Sequence, residues 1–437
     1  MNIAEALCKD LQAKTAKVAV IGAGYVGLPF AVVFAEAGFH VTCIDPDARK
    51  VDSLNRGVSY IQDVPSSHVD SLVKSGFLNA TTDYSVIREM QAVSICVPTP
   101  LSKAGDPDMS FIISASDSLS EYMHPGLVVV LESTTFPGTT RDVILPKLSK
   151  SQWEVGKDFF LAFSPERVDP GRTDWTTKNT PKVIGGITPQ CLEVAKTWYS
   201  QALETIVLVS SAEVAEMAKL LENTFRMINI GMVNELAIIC NRLGVDVWDV
   251  IDAASTKPFG FMKFLPGPGL GGHCIPVDPL YLSWKMRSLN YTARFIDLAA
   301  EINMTMPYFV VDKVQDAMNN VGKSLKGHRV LVLGAAYKPD IDDLRESKAL
   351  DVISLLRRKG ALVEYNDPYI PHIAHDDWAL DSVKDLSQAL RDADCVVIIT
   401  NHKKYDYQEV LQSSQLIVDT RNAIGEAGRG NPKVVRL

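Results

Sequence analysis

The sequence predicts an α/β protein with two doubly wound parallel sheets joined by a long central helix. Three observations support this fold class. Apolar strand-like runs alternate with helical patterns in the first half, the same rhythm returns in the last third, and a long helical periodicity lies between them. A strand–helix–strand order places parallel strands between two layers of helices, because each crossover needs a helix on one face.

The first half contains six short apolar runs that read as buried strands. Helical patterns or turn residues separate them, so the strands are expected to pair in parallel. They cover residues 17–22, 40–45, 92–97, 127–132, 159–163 and 205–209. We assign residues 1–209 to this domain.

The last third repeats the rhythm more weakly and predicts a second domain over residues 321–437. Its expected strands cover residues 329–334, 362–367, 393–400 and 416–420.

A single long helix is predicted between the two sheets. It begins at Ser210, with Glu213 three residues later as in a capping box, and it ends at Leu243 before Gly244. At 1.5 Å per residue it would span roughly 50 Å. Apolar residues recur every three or four positions, so we expect burial on several sides. We assign residues 210–320 to a central helical linker and dimerisation region. The apolar positions are Val214, Met217, Leu221, Phe225, Ile228, Met232, Leu236 and Ile239.

Composition excludes several classes of protein. The 437 residues carry 44 Lys+Arg and 52 Asp+Glu, a net charge of −8, which argues against a basic nucleic-acid binder. The seven cysteines form no CxxC pair, so we expect no metal site and no disulfide framework. No segment reads as a signal peptide or a membrane span. We expect a cytoplasmic protein.

A glycine-rich loop follows the first strand. Gly22, Gly24 and Gly27, with Tyr25 and Val26 between them, lie between an apolar strand and a helical run. This is the Rossmann fingerprint, in which glycines let the backbone approach a pyrophosphate at a helix N-terminus. The loop predicts a dinucleotide site.

An acid ends the second strand, as the dinucleotide fingerprint requires. Asp45 would accept hydrogen bonds from the ribose hydroxyls and would repel a 2′-phosphate, which favours NAD over NADP. Nearby Arg49 and Lys50 keep NADP open as an alternative.

The second Rossmann-like domain departs from this pattern. Gly334 is present, but Ala336 stands where the second glycine would be, and its side chain would crowd a pyrophosphate. We therefore expect a different ligand there. Lys338 and Arg421, each just after a strand, could supply positive charge to phosphates, or could be solvated surface cations.

A loop rich in glycine and proline carries Cys274. Residues 264–278 contain four glycines and three prolines before Asp278, which excludes a regular helix or a central strand. A thiol on such a loop can be accessible and near a base, unlike an ordinary buried cysteine.

Together these residues resemble the UDP-sugar 6-dehydrogenase family, which oxidises a sugar CH2OH group to a carboxylate with two NAD molecules. The resemblance covers nearly the whole chain. Its motifs follow one another in order: residues 22–27, VPTP at 97–100, STTFPGT at 133–139, SPER at 164–167, EMAKLLEN at 216–223, GGHC at 271–274, and residues 338–347 from Lys-Pro-Asp to Arg-Glu-Ser.

The resemblance implies the roles of the reacting residues. Cys274 matches the nucleophile that forms a thiohemiacetal and then a thioester. Lys219 and Asn223 match residues that stabilise oxyanions, and their spacing places both on one helix face. Asp278 matches an acid that assists deprotonation, and Glu166 one associated with thioester hydrolysis.

The resemblance also implies binding residues. Thr99 matches a threonine near the nicotinamide and the catalytic water, and Thr134 lies in a motif expected at the cofactor. Gly271, Lys338 and Arg421 match positions for the nucleotide sugar. Arg345 lies in the same set, but it could equally form a structural ion pair.

One departure bears on the substrate. The glucose branch has a lysine immediately before the loop aspartate, whereas this chain has Val277. The form His-Cys-Ile-Pro-Val-Asp-Pro resembles the branch that handles UDP-N-acetylhexosamines. We therefore expect UDP-N-acetylglucosamine, or its manno epimer, to be oxidised for a surface polysaccharide such as a capsule or O-antigen. The sequence does not decide between the two epimers.

Three alternatives remain. They are a UDP-glucose 6-dehydrogenase, an epimerase that keeps its NAD bound, and a regulatory protein that binds nucleotide without turnover. The nucleophile at Cys274 argues against the last two, since neither needs an acyl-enzyme. We expect a homodimer or larger homo-oligomer, because a helix apolar on several faces needs cover.

Overall fold

The computed structural model describes residues 2–102, 105–149, 153–169, 172 and 174–437. The chain divides into two compact units, Met1–Glu222 and Asn223–Leu437. The boundary lies inside the long helix, 13 residues after the predicted boundary at residue 209. The three ranges 1–209, 210–320 and 321–437 stay a prediction.

The first unit is built on an eight-stranded sheet with the strand order β3-β2-β1-β4-β5-β6-β7-β8. Neighbouring strands are parallel, except that β6 and β7 run antiparallel. The strands are β1 Lys17–Ile21, β2 His40–Ile44, β3 Leu78–Thr81, β4 Ala92–Ile95, β5 Val128–Leu131, β6 Phe160–Phe163, β7 Lys182–Gly186 and β8 Ile206–Leu208.

Helices cover both faces of this sheet, and the buried apolar residues form one cluster on each face. A 3-10 helix at Tyr84–Glu89 and a π-helix at Thr139–Ile144 complete the unit. The helices are α1 Ile3–Gln12, α2 Gly27–Glu36, α3 Ala48–Asn55, α4 Ser66–Lys74, α5 Ser110–Tyr122, α6 Leu145–Leu148 and α7 Pro189–Tyr199.

Strands β3 and β7 were not predicted from the sequence. The glycines of β7 hide its strand character, but close packing requires them. A Cβ on Gly185 would lie 2.1 Å from the Ser211 carbonyl oxygen, and one on Gly186 would lie 2.4 Å from the Leu192 nitrogen. The fold class is confirmed, and in the first unit β7 pairs antiparallel with β6 and parallel with β8.

The central helix α8 spans Ala212–Leu243 and has 32 residues. Gly244 has a φ of +68°, so the predicted C-terminal glycine is confirmed. The predicted N-cap residue, Ser210, is wrong by one position, and the predicted capping box is not formed. The Ser211 hydroxyl, not that of Ser210, accepts the Val214 N–H, and Glu213 pairs with Arg141 instead.

The expectation that α8 is buried on several sides is wrong for the single chain. Its small and apolar residues on one side are buried, among them Ala215, Met227 and Val233. Most of the predicted apolar stripe lies on the exposed side instead. Helical periodicity identifies residues that share a face, but it does not identify which face is covered. The exposed stripe residues are Val214, Met217, Leu221, Phe225, Met232 and Ile239.

The second unit contains a five-stranded parallel sheet with the order β10-β9-β13-β14-β15, and a separate hairpin. The sheet strands are β9 Arg329–Leu333, β10 Leu362–Asn366, β13 Cys395–Ile398, β14 Ile417–Asp419 and β15 Val434–Arg436. The hairpin pairs β11 His372–His375 with β12 Trp378–Asp381. This sheet confirms the second doubly wound domain.

Several helices complete the second unit. A second long helix, α11, has 27 residues and contains Pro307, and the sequence did not predict it as an element. A 3-10 helix covers Gly425–Gly428. Within the described residues, no helix is long and apolar enough to cross a bilayer. The helices are α9 Val247–Ser255, α10 Asp278–Arg287, α11 Arg294–Asn320, α12 Lys348–Arg358, α13 Leu386–Asp392 and α14 Tyr407–Ser413.

Candidate active site

The glycine loop between β1 and α2 has the geometry of a dinucleotide cradle. Gly22 has a φ of +93°, and a Cβ there would lie 2.5 Å from the Cys96 carbonyl oxygen. A Cβ on Gly27 would lie 1.8 Å from the Gly22 oxygen, whereas one on Gly24 would meet nothing within 4 Å. Two glycines therefore allow the turn itself, and Gly24 leaves open space beside the backbone. This arrangement fits NAD.

Asp45 is held in place beside this loop. Its Oδ2 accepts the Ala23 N–H at 2.9 Å and its Oδ1 accepts the Asp47 N–H at 3.0 Å. Lys50 Nζ lies 3.2 Å from Oδ2, while Arg49 pairs with Asp47. A carboxylate can accept about four hydrogen bonds, so Asp45 keeps capacity for ribose hydroxyls.

The other predicted cofactor residues lie on neighbouring loops of the same unit. Tyr25 is exposed and Val26 is half-buried on the glycine loop. Thr99 is buried after β4, and Thr134 is half-buried after β5. The Ser133 hydroxyl donates to the Val97 carbonyl at 2.8 Å, which ties the last two loops together.

Glu166 follows β6 in the first unit. Its Oε1 accepts the N–H groups of Arg167 and Val168, both at 2.7 Å, and its Oε2 lies 3.3 Å from Lys182 Nζ. Burial opposes its charge, but Lys182 and the two N–H groups outweigh that cost and lower the pKa of Glu166. Glu166 is therefore a carboxylate at neutral pH.

Lys219 and Asn223 lie one turn apart on α8, and both are buried. The preceding turn is anchored by Glu216, whose carboxylate accepts hydrogen bonds from Gly138 N–H, Thr140 N–H and the Thr140 hydroxyl. Burial raises the pKa of Glu216 to about 7. The turn of α8 that precedes Lys219 is thereby anchored to residues 138–140, after β5.

Cys274 is exposed, whereas the other six cysteines are buried or half-buried. Its carbonyl accepts the Asp278 N–H at 2.8 Å, so the cysteine lies just before the start of α10. Asp278 is the first residue of α10 and is buried, and its Oδ2 accepts the Asn223 side-chain N–H at 2.6 Å. The second unit thus brings Cys274, Asp278 and Asn223 together.

Small residues let the cysteine loop pack against its surroundings within the second unit. The Gly267 N–H donates to Asn234 Oδ1 at 2.9 Å, and a Cβ on Gly267 would lie 2.4 Å from an Arg421 guanidinium nitrogen. A Cβ on Gly271 would lie 2.8 Å from Tyr337 Cβ. Of the predicted sugar-binding positions, Gly271 therefore lies within this loop and Arg421 packs against it at Gly267.

The two arginines predicted for the nucleotide sugar are held differently. Arg421 Nε donates to the Ile399 carbonyl at 2.9 Å, and burial lowers the pKa of Arg421 to about 10, which leaves it a cation at neutral pH. Arg345 forms a bidentate pair with Asp343, and its carbonyl accepts the Gly272 N–H at 3.0 Å. This favours the ion-pair alternative for Arg345.

The loop after β9 carries Lys338, which is half-buried. The N–H groups at the start of this loop are already bonded to a side chain of the protein. Asp367 Oδ2 accepts the N–H groups of Ala335 and Ala336 at 2.7 and 3.0 Å, and lies 2.9 Å from His402 Nε2. Asp367 follows β10 as Asp45 follows β2, but its Oδ2 is already paired with the buried His402. The expectation of a different ligand agrees with this arrangement.

Sequence reasoning missed several buried polar residues. The most connected are Lys182 with Glu132, the Asn234–Asn303 pair at 2.8 Å, and His402 with Asp367. No motif marks them, since their partners lie between 35 and 69 residues away along the chain.

Comparisons with known proteins identify the family. Models of the UDP-glucose/GDP-mannose dehydrogenase family match three parts of the chain: the NAD binding domain over residues 16–203, the central domain over 213–305 and the UDP binding domain over 331–426. A Yersinia pestis protein named UDP-N-acetyl-D-mannosamine dehydrogenase is 36% identical over 424 residues, 92% of this chain and 98% of that protein.

Solved structures agree over a similar length. The UDP-D-ManNAc dehydrogenase of Pyrococcus horikoshii has a TM-score of 0.85 and 32% identity, covering 94% of this chain and 96% of that one. Cap5O, the UDP-N-acetyl-mannosamine dehydrogenase of Staphylococcus aureus, has a TM-score of 0.82 and 32% identity, covering 96% and 97%. The chain therefore belongs to the UDP-glucose/GDP-mannose dehydrogenase family, as an NAD-dependent oxidoreductase that acts on a UDP-sugar.

Proposed function

We propose that this protein oxidises UDP-N-acetyl-D-mannosamine at C6 to the uronate, with two NAD molecules, for a surface polysaccharide. This substrate is proposed because relatives that match nearly the whole chain are UDP-N-acetylmannosamine dehydrogenases. Val277, in place of the lysine of the glucose branch, supports an N-acetylated sugar. UDP-N-acetylglucosamine, which differs from it only in the configuration at C2, is the alternative substrate.

The exposed thiol of Cys274 is the proposed nucleophile. NAD supplies the hydride acceptor in each of the two oxidations. After the first, Cys274 adds to the C6 aldehyde and holds it as a thiohemiacetal; after the second, the carbon is a thioester. Water then adds to the carbonyl, the C–S bond breaks, and the uronate and the thiol are released. An exposed, reactive thiol needs a reducing compartment, which supports a cytoplasmic location.

The buried polar residues around this chemistry have separate proposed roles. Lys219 and Asn223 stabilise the oxyanion at C6, because an ammonium and an amide N–H both donate to developing negative charge. Asp278, already an acceptor for Asn223, assists deprotonation. Glu166 carries the hydrolysis of the thioester, and Thr99 lies at the nicotinamide and its water.

The proposed ligands divide between the two sheets. Residues 22–27, Asp45, Thr99 and Thr134 bind NAD in the N-terminal domain, proposed as 1–209. Gly271, Lys338 and Arg421 bind the nucleotide sugar, with the C-terminal domain proposed as 321–437. For Arg345 the role is to shape the loop through its carbonyl and its pair with Asp343.

A panel of UDP-sugars tests the function directly. With UDP-N-acetylmannosamine we expect two NADH for each sugar consumed, a uronate product and no free aldehyde. A higher kcat/KM with UDP-glucose would contradict the substrate. Product formation without net NADH would contradict the reaction and indicate an epimerase.

Arg421→Met tests the nucleotide-sugar site. Loss of this cation is expected to raise the KM for the UDP-sugar by about 10–100-fold, in line with a charge-assisted hydrogen bond of roughly 1.5–3 kcal/mol. The KM for NAD should stay within about twofold, since the glycine loop is untouched. Arg391→Met, which removes another arginine of the second unit, is the matched control. Equal effects on both KM values would contradict the assignment.

We propose a homodimer, in which a second copy covers the exposed apolar stripe of α8. Leu221 is 61% exposed and Met232 53%, and on α11 Met304 and Tyr308 are 61% and 59% exposed. Apolar area of this extent is rarely left to water. Sedimentation of the active enzyme should give at least twice the 48.0 kDa of one chain, and Met232→Glu should shift it towards monomer. A stable, fully active monomer would contradict the dimer.

A further inference from the structure

A buried ion cluster lies in the first unit, behind Glu166. Lys182, the first residue of β7, places its Nζ 2.6 Å from Glu132 Oε2 and 3.3 Å from Glu166 Oε2. The side chains of Lys182 and Glu132 are 3% and 0% exposed. The Tyr199 hydroxyl donates to the other oxygen of Glu132. One ammonium group therefore bridges two carboxylates that lie at the ends of two strands.

This cluster is costly to bury, and packing does not explain it. Removing an ammonium and two carboxylates from water costs several kcal/mol for each ion before pairing, and an apolar trio of equal volume would avoid that cost. The side chain of Glu132 is fully buried, and it supplies the closest anion to Lys182. The presence of Glu132 is explained if its carboxylate keeps Lys182 charged next to Glu166.

Protonation within the cluster favours this reading. Burial opposes the charge on Lys182, but Glu132 and Glu166 outweigh it and raise the pKa of Lys182. Burial raises the pKa of Glu132 to about 7, although Lys182 opposes the rise. The remaining titratable neighbours are Tyr199, Cys96 and Lys219. Burial raises the pKa values of Tyr199 and Cys96 well above their usual range, so both are neutral.

We propose that Lys182 is a positioning residue for hydrolysis of the thioester, which holds Glu166 ionised and in one orientation, while Glu132 anchors Lys182. The two N–H bonds from Arg167 and Val168 fix one oxygen of Glu166, and the ammonium fixes the other. The inference rests on the proposed function, in which Glu166 serves the hydrolysis.

The step that Lys182 supports is proton removal from water. A water molecule adds to the thioester carbonyl and its proton passes to Glu166. The C–S bond then breaks, and the sulfur of Cys274 leaves as thiolate. Lys182 takes no proton in this step. It keeps Glu166 in the form that can accept one, and general-base assistance of this kind is worth about 10²–10⁴-fold in rate.

The experiment measures hydrolysis separately from hydride transfer. Enzyme, NAD and UDP-N-acetylmannosamine are mixed rapidly, NADH is followed optically, and quenched samples are analysed by mass spectrometry for the ester on Cys274. The hydrolysis rate is measured from pH 5 to pH 9. The variants are Lys182→Met, Lys182→Arg and Glu132→Gln, with Lys157→Met as a control that removes an exposed ion pair with Glu154.

Opposite pH shifts are the expected result. Lys182→Met removes the cation, so the acid limb of hydrolysis should move to higher pH, with a rate at pH 7 lowered about 10-fold or more and ester accumulating. Glu132→Gln leaves Lys182 to pair with Glu166 alone, so the acid limb should move to lower pH. Lys182→Arg should restore most of the rate, and the NADH burst should be unchanged throughout.

Two results overturn the inference. An acid limb that does not move in Lys182→Met, or one that moves in the same direction in Glu132→Gln, removes the positioning role. The second variant keeps Lys182 and its charge, so it decides the matter even if the first variant fails to fold. Failure of the proposed function is distinct, because the parent enzyme itself would then form no ester on Cys274.

Discussion

Cys274→Ser is expected to lower the rate of uronate formation by about 10³-fold or more. A serine hydroxyl is far less ionised than a thiol at neutral pH, so it traps the C6 aldehyde poorly and forms no thioester. The first hydride transfer does not need the thiol. The variant should therefore yield at most one NADH per sugar, together with an aldehyde that a carbonyl reagent can capture. Both quantities are measured in a single turnover with limiting UDP-sugar.

The control for this prediction is Cys8→Ser. Cys8 is half-buried, and its Sγ contacts the Thr197 hydroxyl in the first unit, so the same replacement there removes a thiol without touching the cysteine loop. Its activity should match the parent. If Cys274→Ser completed both oxidations at the parent rate, the covalent mechanism would be wrong, whatever the substrate.

Alanine at Gly27 and at Gly24 is expected to produce two different failures. A Cβ at Gly27 would lie 1.8 Å from the backbone oxygen of Gly22, so the loop or the start of α2 must move. We expect a loss of about 3 kcal/mol in the free energy of unfolding, as for an overpacked core, and NAD affinity reduced about 100-fold. A Cβ at Gly24 has open space within 4 Å, so stability should be unchanged.

Both NAD affinity and thermal stability are measured for each of the two variants and compared. Gly24→Ala should weaken NAD about tenfold without a change in Tm, because its methyl group would meet no protein atom within 4 Å and would extend into the space proposed for the cofactor. Titration calorimetry gives the affinity and calorimetric unfolding gives the Tm. Normal NAD binding by Gly24→Ala would show that the dinucleotide does not lie against this part of the loop.

The sequence predicted the local parts of this molecule well. The glycine loop between β1 and α2, and Asp45 after β2, depend on residues close together in the chain, and the backbone geometry there follows from residue type. The central helix was predicted for the same reason, because its period and its terminal Gly244 are local. Its start was placed early, since Ser210 and Ser211 are equally good caps by type, and only the hydrogen bond from the Val214 N–H to the Ser211 hydroxyl distinguishes them.

Contacts between distant residues were harder to predict. Strand β7 was missed because Gly185 and Gly186 are not typical strand residues. Glycine is needed at both positions because the backbone of another element packs too close for a side chain. Arg345 could not be assigned until its pair with Asp343 was seen. Lys182 reads as an ordinary surface cation in sequence, and its burial depends on strands 50 residues apart.

By itself, the sequence determined the local features on which the proposed site is built: the glycines and acid of the dinucleotide loop, the thiol on a loop that cannot be helix or strand, and two polar residues one helical turn apart. These follow from backbone preferences over a few residues. Only the tertiary structure decided which face of α8 stays exposed, that Asn223 donates to Asp278, and that one buried lysine joins Glu132 to Glu166. The reason is that periodicity shows which residues share a helix face but not what packs against that face. The partner of a buried charge depends on packing between residues that are distant in the sequence.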